Sequence, residues 1–132
     1  MNVLAFMSAG LFAILGILHL AYTLHDFGAR PRYFRPMDHA LLPALQNTHM
    51  NIARGGRDYW SSILGFNLSH SIGLLLFALL IVVATQHEIA WLKPLLMLVS
   101  GSFAVIAWRC WFRTPMLGAL IGTALMIAAW VL

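Results

Sequence analysis

Polar side chains occur inside two segments of this sequence that are otherwise apolar enough to cross a bilayer. Asn67 and His70 lie within the run 59–85, and His19 lies within the run 3–24. An imidazole can carry a proton, bind a metal or form hydrogen bonds, and an amide can both donate and accept them. Because polar groups are costly in hydrocarbon, such residues usually face a bundle interior or a wet cavity. The pattern therefore predicts a polar site within the membrane.

The composition of the chain predicts the fold class. Its 132 residues are 61% hydrophobic and 9% charged, with a mean hydropathy of +0.84, whereas a soluble domain carries about 25% charged residues. Since each crossing needs about 20 residues, four spans and one long loop account for the whole length. We expect an all-α, integral membrane four-helix bundle forming a single membrane domain, 1–132. The predicted spans are 3–24, 59–85, 90–112 and 115–132.

Basic residues are distributed unevenly between the two sides of the predicted membrane. Lys93 is the only one on one side, and the remaining seven of the eight Lys and Arg residues are on the other. Basic residues near span ends favour the cytoplasm, so we expect the loop 25–58 to be cytoplasmic and both termini to lie outside. The first span lacks a basic leader and a clear cleavage site, which favours a retained helix over a signal peptide. The seven are Arg30, Arg32, Arg35, Arg54, Arg57, Arg109 and Arg113.

The loop 25–58 contains a second helix-forming pattern. Apolar residues at 41, 45 and 52 share one helical face, Asp38 could cap the start, and Gly55-Gly56 could end it. We predict a short amphipathic helix that either lies in the cytoplasmic interface or covers the mouth of the bundle. Asp58 is expected to cap the second long helix, with aromatic residues 59 and 60 at headgroup level.

Small residues recur at the spacing that lets membrane helices pack closely. Gly65, Ser69 and Gly73 form a stripe on the second span, which we expect to pack against a neighbouring helix. Gly118 and Gly122 form a GxxxG pair on the fourth span. That pair is expected to serve either packing within the bundle or homodimerisation.

Depth in the membrane connects the polar residues to one another. In an antiparallel bundle, His19, Asn67, His70 and Arg109 all fall in the cytoplasmic half of the bilayer. At 100° per residue, the face with Asn67 and His70 points away from the small-residue stripe. The alternative is separate structural roles, with hydrogen bonds between helices and an arginine reaching for phosphates. The predicted ligand pocket comprises His19, Tyr22, Thr23, Asp26, Asn67, His70, Ser71 and Arg109.

No catalytic constellation can be assigned, and enzymatic activity stays open. The sequence has no GxSxG elbow, no paired carboxylates within spans and no phosphate-binding glycine loop. Two imidazoles on facing helices could ligate a b-type haem, and His19, His70 and Asp26 could offer ligands to zinc or iron. Asp26 differs in membrane depth from His70, so we predict no metal site. We expect no cofactor, and a haem is the weaker alternative. The single cysteine, Cys110, excludes an intramolecular disulfide.

Three functional classes are compatible with these features. The first is a protein that binds a small molecule, or assists transport, through a cytoplasm-facing polar pocket. The second is a structural accessory subunit of a larger membrane complex, and the third is a b-type haem electron-transfer protein. The expected partners are the lipid bilayer and either a membrane protein or a second copy of the chain. Nucleic-acid binding is not expected, because a basic soluble platform with stacking aromatics is missing.

One short motif carries a resemblance to known proteins. The stretch GFNLSHSIG at 65–73, preceded by Tyr59-Trp60, resembles a pattern in small four-helix bacterial membrane proteins of unassigned function. More loosely, His19 after Gly16 resembles the DoxX-like group of four-helix proteins. The resemblance implies a multi-pass bundle in the bacterial inner membrane, with Asn67 and His70 as the residues of interest.

Overall fold

The computed structural model describes residues 2–28, 30–49, 51 and 56–131. Over these residues the fold is all-α, which confirms the predicted class of a four-helix membrane bundle. Four helices are long and apolar enough to cross a membrane, judged by length and composition. The helices are α1 (Asn2–Asp26), α2 (Leu41–Asn47), α3 (Tyr59–Gln86), α4 (Leu92–Cys110) and α5 (Arg113–Val131).

The chain divides into two compact units. The core unit comprises residues 1–17 and 73–132, and the loop unit comprises residues 18–72. α1 and α3 each contribute residues to both units.

Three phenylalanines form the centre of the core unit. The ring centroids of Phe12 and Phe77 lie 4.9 Å apart with the planes at 88°, and those of Phe77 and Phe103 lie 5.5 Å apart at 74°. Edge-to-face contacts of this kind add stability beyond the burial of apolar area. Phe12 is fully buried, so α1 supplies the ring against which residues of α3, α4 and α5 in this unit pack.

Glycines on α5 allow close approach to α1. A Cβ added to Gly122 would lie 2.9 Å from Cε2 of Phe12, and one added to Gly118 would lie 3.2 Å from Cδ1 of Leu15. Ser8 reinforces the contact by donating from Oγ to the carbonyl of Gly122 at 2.7 Å. Of the two roles predicted for the GxxxG pair, the structure therefore shows packing within the chain.

Hydroxyl groups join α4 to α5 in the same unit. Oγ of Ser100 and Oγ1 of Thr123 lie 2.7 Å apart, and Thr123 is also within 3.1 Å of the Ser100 carbonyl. Ser100 is fully buried. Interhelical hydrogen bonds between short polar side chains are a common way to join membrane helices.

The prediction that the stripe on α3 packs against a neighbouring helix was wrong. Gly65, Ser69 and Gly73 are exposed, and a Cβ added to either glycine would meet no atom within 4 Å. The reason is that larger apolar residues set the buried face of α3. Leu64, Leu74 and others at helical spacing fill the contacts, which leaves the small residues on the outer side.

The short helix in the loop differs from its prediction in both of its ends. It covers only Leu41–Asn47, and its N-cap position, Ala40, has no side-chain cap. The Asp38 carboxylate instead accepts the N–H of Ala40 at 2.9 Å, in the turn before the helix. The helix ends at Asn47, well before the predicted Gly55-Gly56, because Thr48 is extended and its carbonyl accepts the N–H of Tyr59 at 2.8 Å. Positions 52 and 55 lie outside the described residues.

Candidate functional site

The predicted polar residues of the first two spans meet within the loop unit. Nε2 of His19 lies 3.3 Å from Oδ1 of Asn67, and the rings of His19 and His70 are in edge contact, with centroids 5.3 Å apart and planes at 81°. Asn67 and His70 project from one side of α3, because residues three apart share a helical face. We call His19, Asn67 and His70 the polar cluster. All three side chains are half-buried.

Hydrogen bonding assigns a direction to the contact between His19 and Asn67. The amide oxygen can only accept, so Nε2 of His19 carries the proton and donates it. Among the described residues, no group accepts a hydrogen bond from the Asn67 amide nitrogen. The cluster therefore keeps two N–H donors beside a pair of imidazoles, and these can bind a ligand or water.

Two predicted pocket residues use their hydroxyl groups on their own helices. Thr23 donates to the carbonyl of His19 at 2.7 Å, and Ser71 donates to the carbonyl of Asn67 at 2.8 Å. Both side chains are fully buried. The proton of each hydroxyl is therefore committed to the backbone carbonyl of a polar-cluster residue.

Asp26, at the end of α1, binds the backbone of the loop that follows. Its carboxylate is 1% exposed and accepts backbone N–H groups from Arg32 at 2.7 Å, from Tyr33 at 2.9 Å and from Phe34 at 2.6 Å. Nδ1 of His25 lies 3.1 Å from the same carboxylate. Asp26 therefore fixes a loop segment to the end of α1.

The segment fixed by Asp26 brings aromatic rings to the site. The ring of Phe34 lies 5.1 Å from that of His19 at 63°, and Tyr33 stacks on the predicted pocket residue Tyr22 at 4.3 Å and 19°. Sequence reasoning missed Phe34 and Tyr33, because a loop has no regular period. The one available signal was Asp26, since a carboxylate at a helix C-terminus opposes the macrodipole and needs nearby donors.

Arg109 belongs to a different unit from the polar cluster. It occupies the last turn of α4, belongs to the core unit, and has an exposed side chain. Its membership of the pocket stays a prediction.

A metal ion needs several ligating side chains that converge on one point. Among the described residues, no group of three or more His, Cys, Asp or Glu side chains could hold a metal ion. For haem, a porphyrin bound by both imidazoles must lie between them, so the rings of His19 and His70 would have to separate from their edge contact.

Two grooves on the described surface are apolar. One, of about 560 Å³, is lined by residues of α4, and the other, of about 360 Å³, lies between α1 and α3. Both belong to the core unit. Ser102 is the only hydroxyl in the first groove, and it donates to the Leu98 carbonyl of its own helix at 3.0 Å. A ligand held by hydrogen bonds would find better partners at the polar cluster.

Comparison of the chain with protein-family models, curated proteins and solved structures gave no match. The resemblance carried by residues 65–73 therefore stays a prediction, and the function has to be inferred from the geometry of the chain itself.

Proposed function

We propose that this chain is a multi-pass protein of the bacterial inner membrane that binds a small molecule, or assists its transport, at the polar cluster. In this proposal, the loop 25–58 is cytoplasmic, both termini lie outside, and the ligand enters from the cytoplasm. The observation that carries the proposal is the arrangement around Asn67. Its oxygen accepts from His19 at 3.3 Å, and no described residue accepts from its amide N–H groups, which lie beside two imidazoles.

Energetics favour a ligand role over a purely structural one. A hydrogen bond between side chains in a membrane protein contributes on average about 0.6 kcal/mol, whereas a polar group left unpaired in hydrocarbon costs several kcal/mol. Apolar residues would hold α1 and α3 together without the free-energy cost of an unpaired polar group. Retaining three polar side chains at one depth is therefore better explained by binding.

Recovery of a bound molecule from the purified protein tests the proposal. We expect native mass spectrometry of the protein in mild detergent to show a stoichiometric small molecule, and His70→Leu to lose it. Ser69→Ala is the matched control, because Ser69 is exposed on the same helix and donates to its own Phe66 carbonyl at 2.8 Å. Equal ligand content in His70→Leu and the wild type would contradict the proposal.

The second candidate function is a structural subunit of a larger membrane complex. It is favoured by the exposed stripe of Gly65, Ser69 and Gly73, because small residues let another helix approach closely. In the same purification, a stoichiometric membrane-protein partner without a small molecule would favour this candidate. Absorbance near the Soret band in that sample tests the haem alternative.

A further inference from the structure

We infer that Asp26 is a positioning residue that holds the segment Arg32–Phe34 over the polar cluster as a lid. A ligand then reaches His19 only after the lid has moved. The purpose of the lid rests on the proposed function, whereas the closure itself rests on contacts within the loop unit.

The attachment of the lid is a set of hydrogen bonds to one carboxylate. Three consecutive backbone N–H groups, those of Arg32, Tyr33 and Phe34, donate to Asp26 at 2.6–2.9 Å. Bonds to an ionised acceptor are roughly twice as strong as neutral ones. Because the carboxylate is 1% exposed, water does not replace these donors while the lid is closed.

The covering contact follows from this attachment. With its N–H bound to Oδ2 of Asp26, Phe34 sets its ring 5.1 Å from the His19 ring. Tyr33, next to Phe34 in the same segment, stacks on Tyr22. An apolar ring against an imidazole excludes water and competes with a ligand for the same face.

The sequence of the segment suits movement as a unit. Pro31 and Pro36 flank it and restrict φ at its two ends, while the backbone at residues 33–35 between them is bent around the Asp26 carboxylate. Outside the prolines, Gly28 and Met37 are exposed and belong to no helix. Release of Asp26 would therefore let the segment swing without unfolding α1.

Chemical modification of histidine measures closure directly. We would treat the full chain in detergent micelles with diethyl pyrocarbonate and determine the rate at each histidine by peptide mass spectrometry. Asp26→Asn keeps an acceptor but removes the charge, so we expect modification of His19 to accelerate roughly fivefold or more, the ratio given by about 1 kcal/mol. Phe34→Ala should have the same effect. His39 and His87, which are exposed, are internal references whose rates should not change.

Asp38→Asn is the matched control. Its carboxylate also accepts a backbone N–H in the loop, from Ala40 at 2.9 Å, but it is exposed and lies outside the lid, four residues beyond Phe34. We expect its His19 rate to equal that of the wild type.

Two outcomes would overturn the lid. One is an unchanged His19 rate in Phe34→Ala, which remains informative if Asp26→Asn fails to fold. The other is an equal acceleration in Asp38→Asn. The assay needs no ligand, so it is independent of the proposed function: accelerated modification in a protein that never carries a small molecule would keep the lid and refute the binding role.

Discussion

At the scale of single residues, the carboxylates of the loop unit shape its backbone. Asp26, Asp38 and Asp58 each accept at least one backbone N–H. None is left as an uncommitted anion for a ligand, so within the polar cluster a ligand would meet the imidazoles and the Asn67 amide. Because these carboxylates are already bonded to the backbone, we expect any ligand to be recognised by hydrogen bonds to neutral donors and acceptors.

Asp58 gives a prediction with a defined pH dependence. Hydrogen bonds from the Ser61 hydroxyl, at 2.6 Å, and the Ser61 N–H, at 2.8 Å, hold the pKa of Asp58 below its ordinary value of 3.8. Because the folded-state pKa is depressed, the stabilisation of α3 by this cap is complete above the ordinary value and is lost as the pH falls through the lowered one. We expect the first turn of α3 to fray only in that acidic window.

Amide hydrogen exchange at Ser61 and Ser62 measures this fraying. At neutral pH, Asp58→Ala should exchange faster than the wild type at both amides, whereas Asp58→Asn, which keeps an accepting oxygen, should show a smaller change. Exchange in Asp58→Ala indistinguishable from that of the wild type would refute the capping role.

The meeting of His19, Asn67 and His70 could be anticipated from the sequence, because polar residues inside apolar runs are few and their depths are fixed by 1.5 Å per residue. Phe34 could not be placed in this way. Its contact with His19 depends on three hydrogen bonds within an irregular loop, and such bonds produce no periodic pattern in the sequence.

At the scale of elements, the ends of the helices follow from local chemistry. α3 begins after the cap at Asp58 and ends before Glu88, whose φ of 49° takes the chain out of the helix. Each end of α4 and α5 lies within two residues of the predicted end, because apolar runs define both helices. What the sequence could not reveal was which small residues face a neighbour, because Gly73 and Gly122 have the same local pattern and opposite surroundings.

Alanine substitution at these two glycines distinguishes their surroundings. Gly122→Ala should destabilise the protein by about 1–3 kcal/mol, because its Cβ would press on the Phe12 ring. Gly73→Ala, the matched control, should be neutral or stabilising by up to about 1 kcal/mol, because alanine is the better helix former. The free energy of unfolding in mixed micelles measures both. Similar values for the two variants would contradict the assigned packing.

At the scale of the whole molecule, four apolar helices indicate a multi-pass membrane protein, and its proposed orientation comes from the basic residues. We expect an impermeant maleimide to label His87→Cys in intact cells and Thr48→Cys only after permeabilisation, each in a Cys110→Ser background, since native Cys110 is exposed. The positive-inside distribution is the physical reason. Labelling of position 48 from outside would reverse the orientation and the proposed side of ligand entry.

The most direct test of the central claim, that the polar cluster exists to bind a ligand rather than to join α1 and α3, is the free energy of unfolding of His70→Leu. Leucine keeps apolar contact with the His19 ring and removes a polar group from hydrocarbon. In ligand-free protein, the account predicts that the free energy of unfolding is unchanged or higher than in the wild type. A decrease of about 1–3 kcal/mol, the cost of stranding a buried hydrogen-bond partner, would show that His70 is structural and would contradict it.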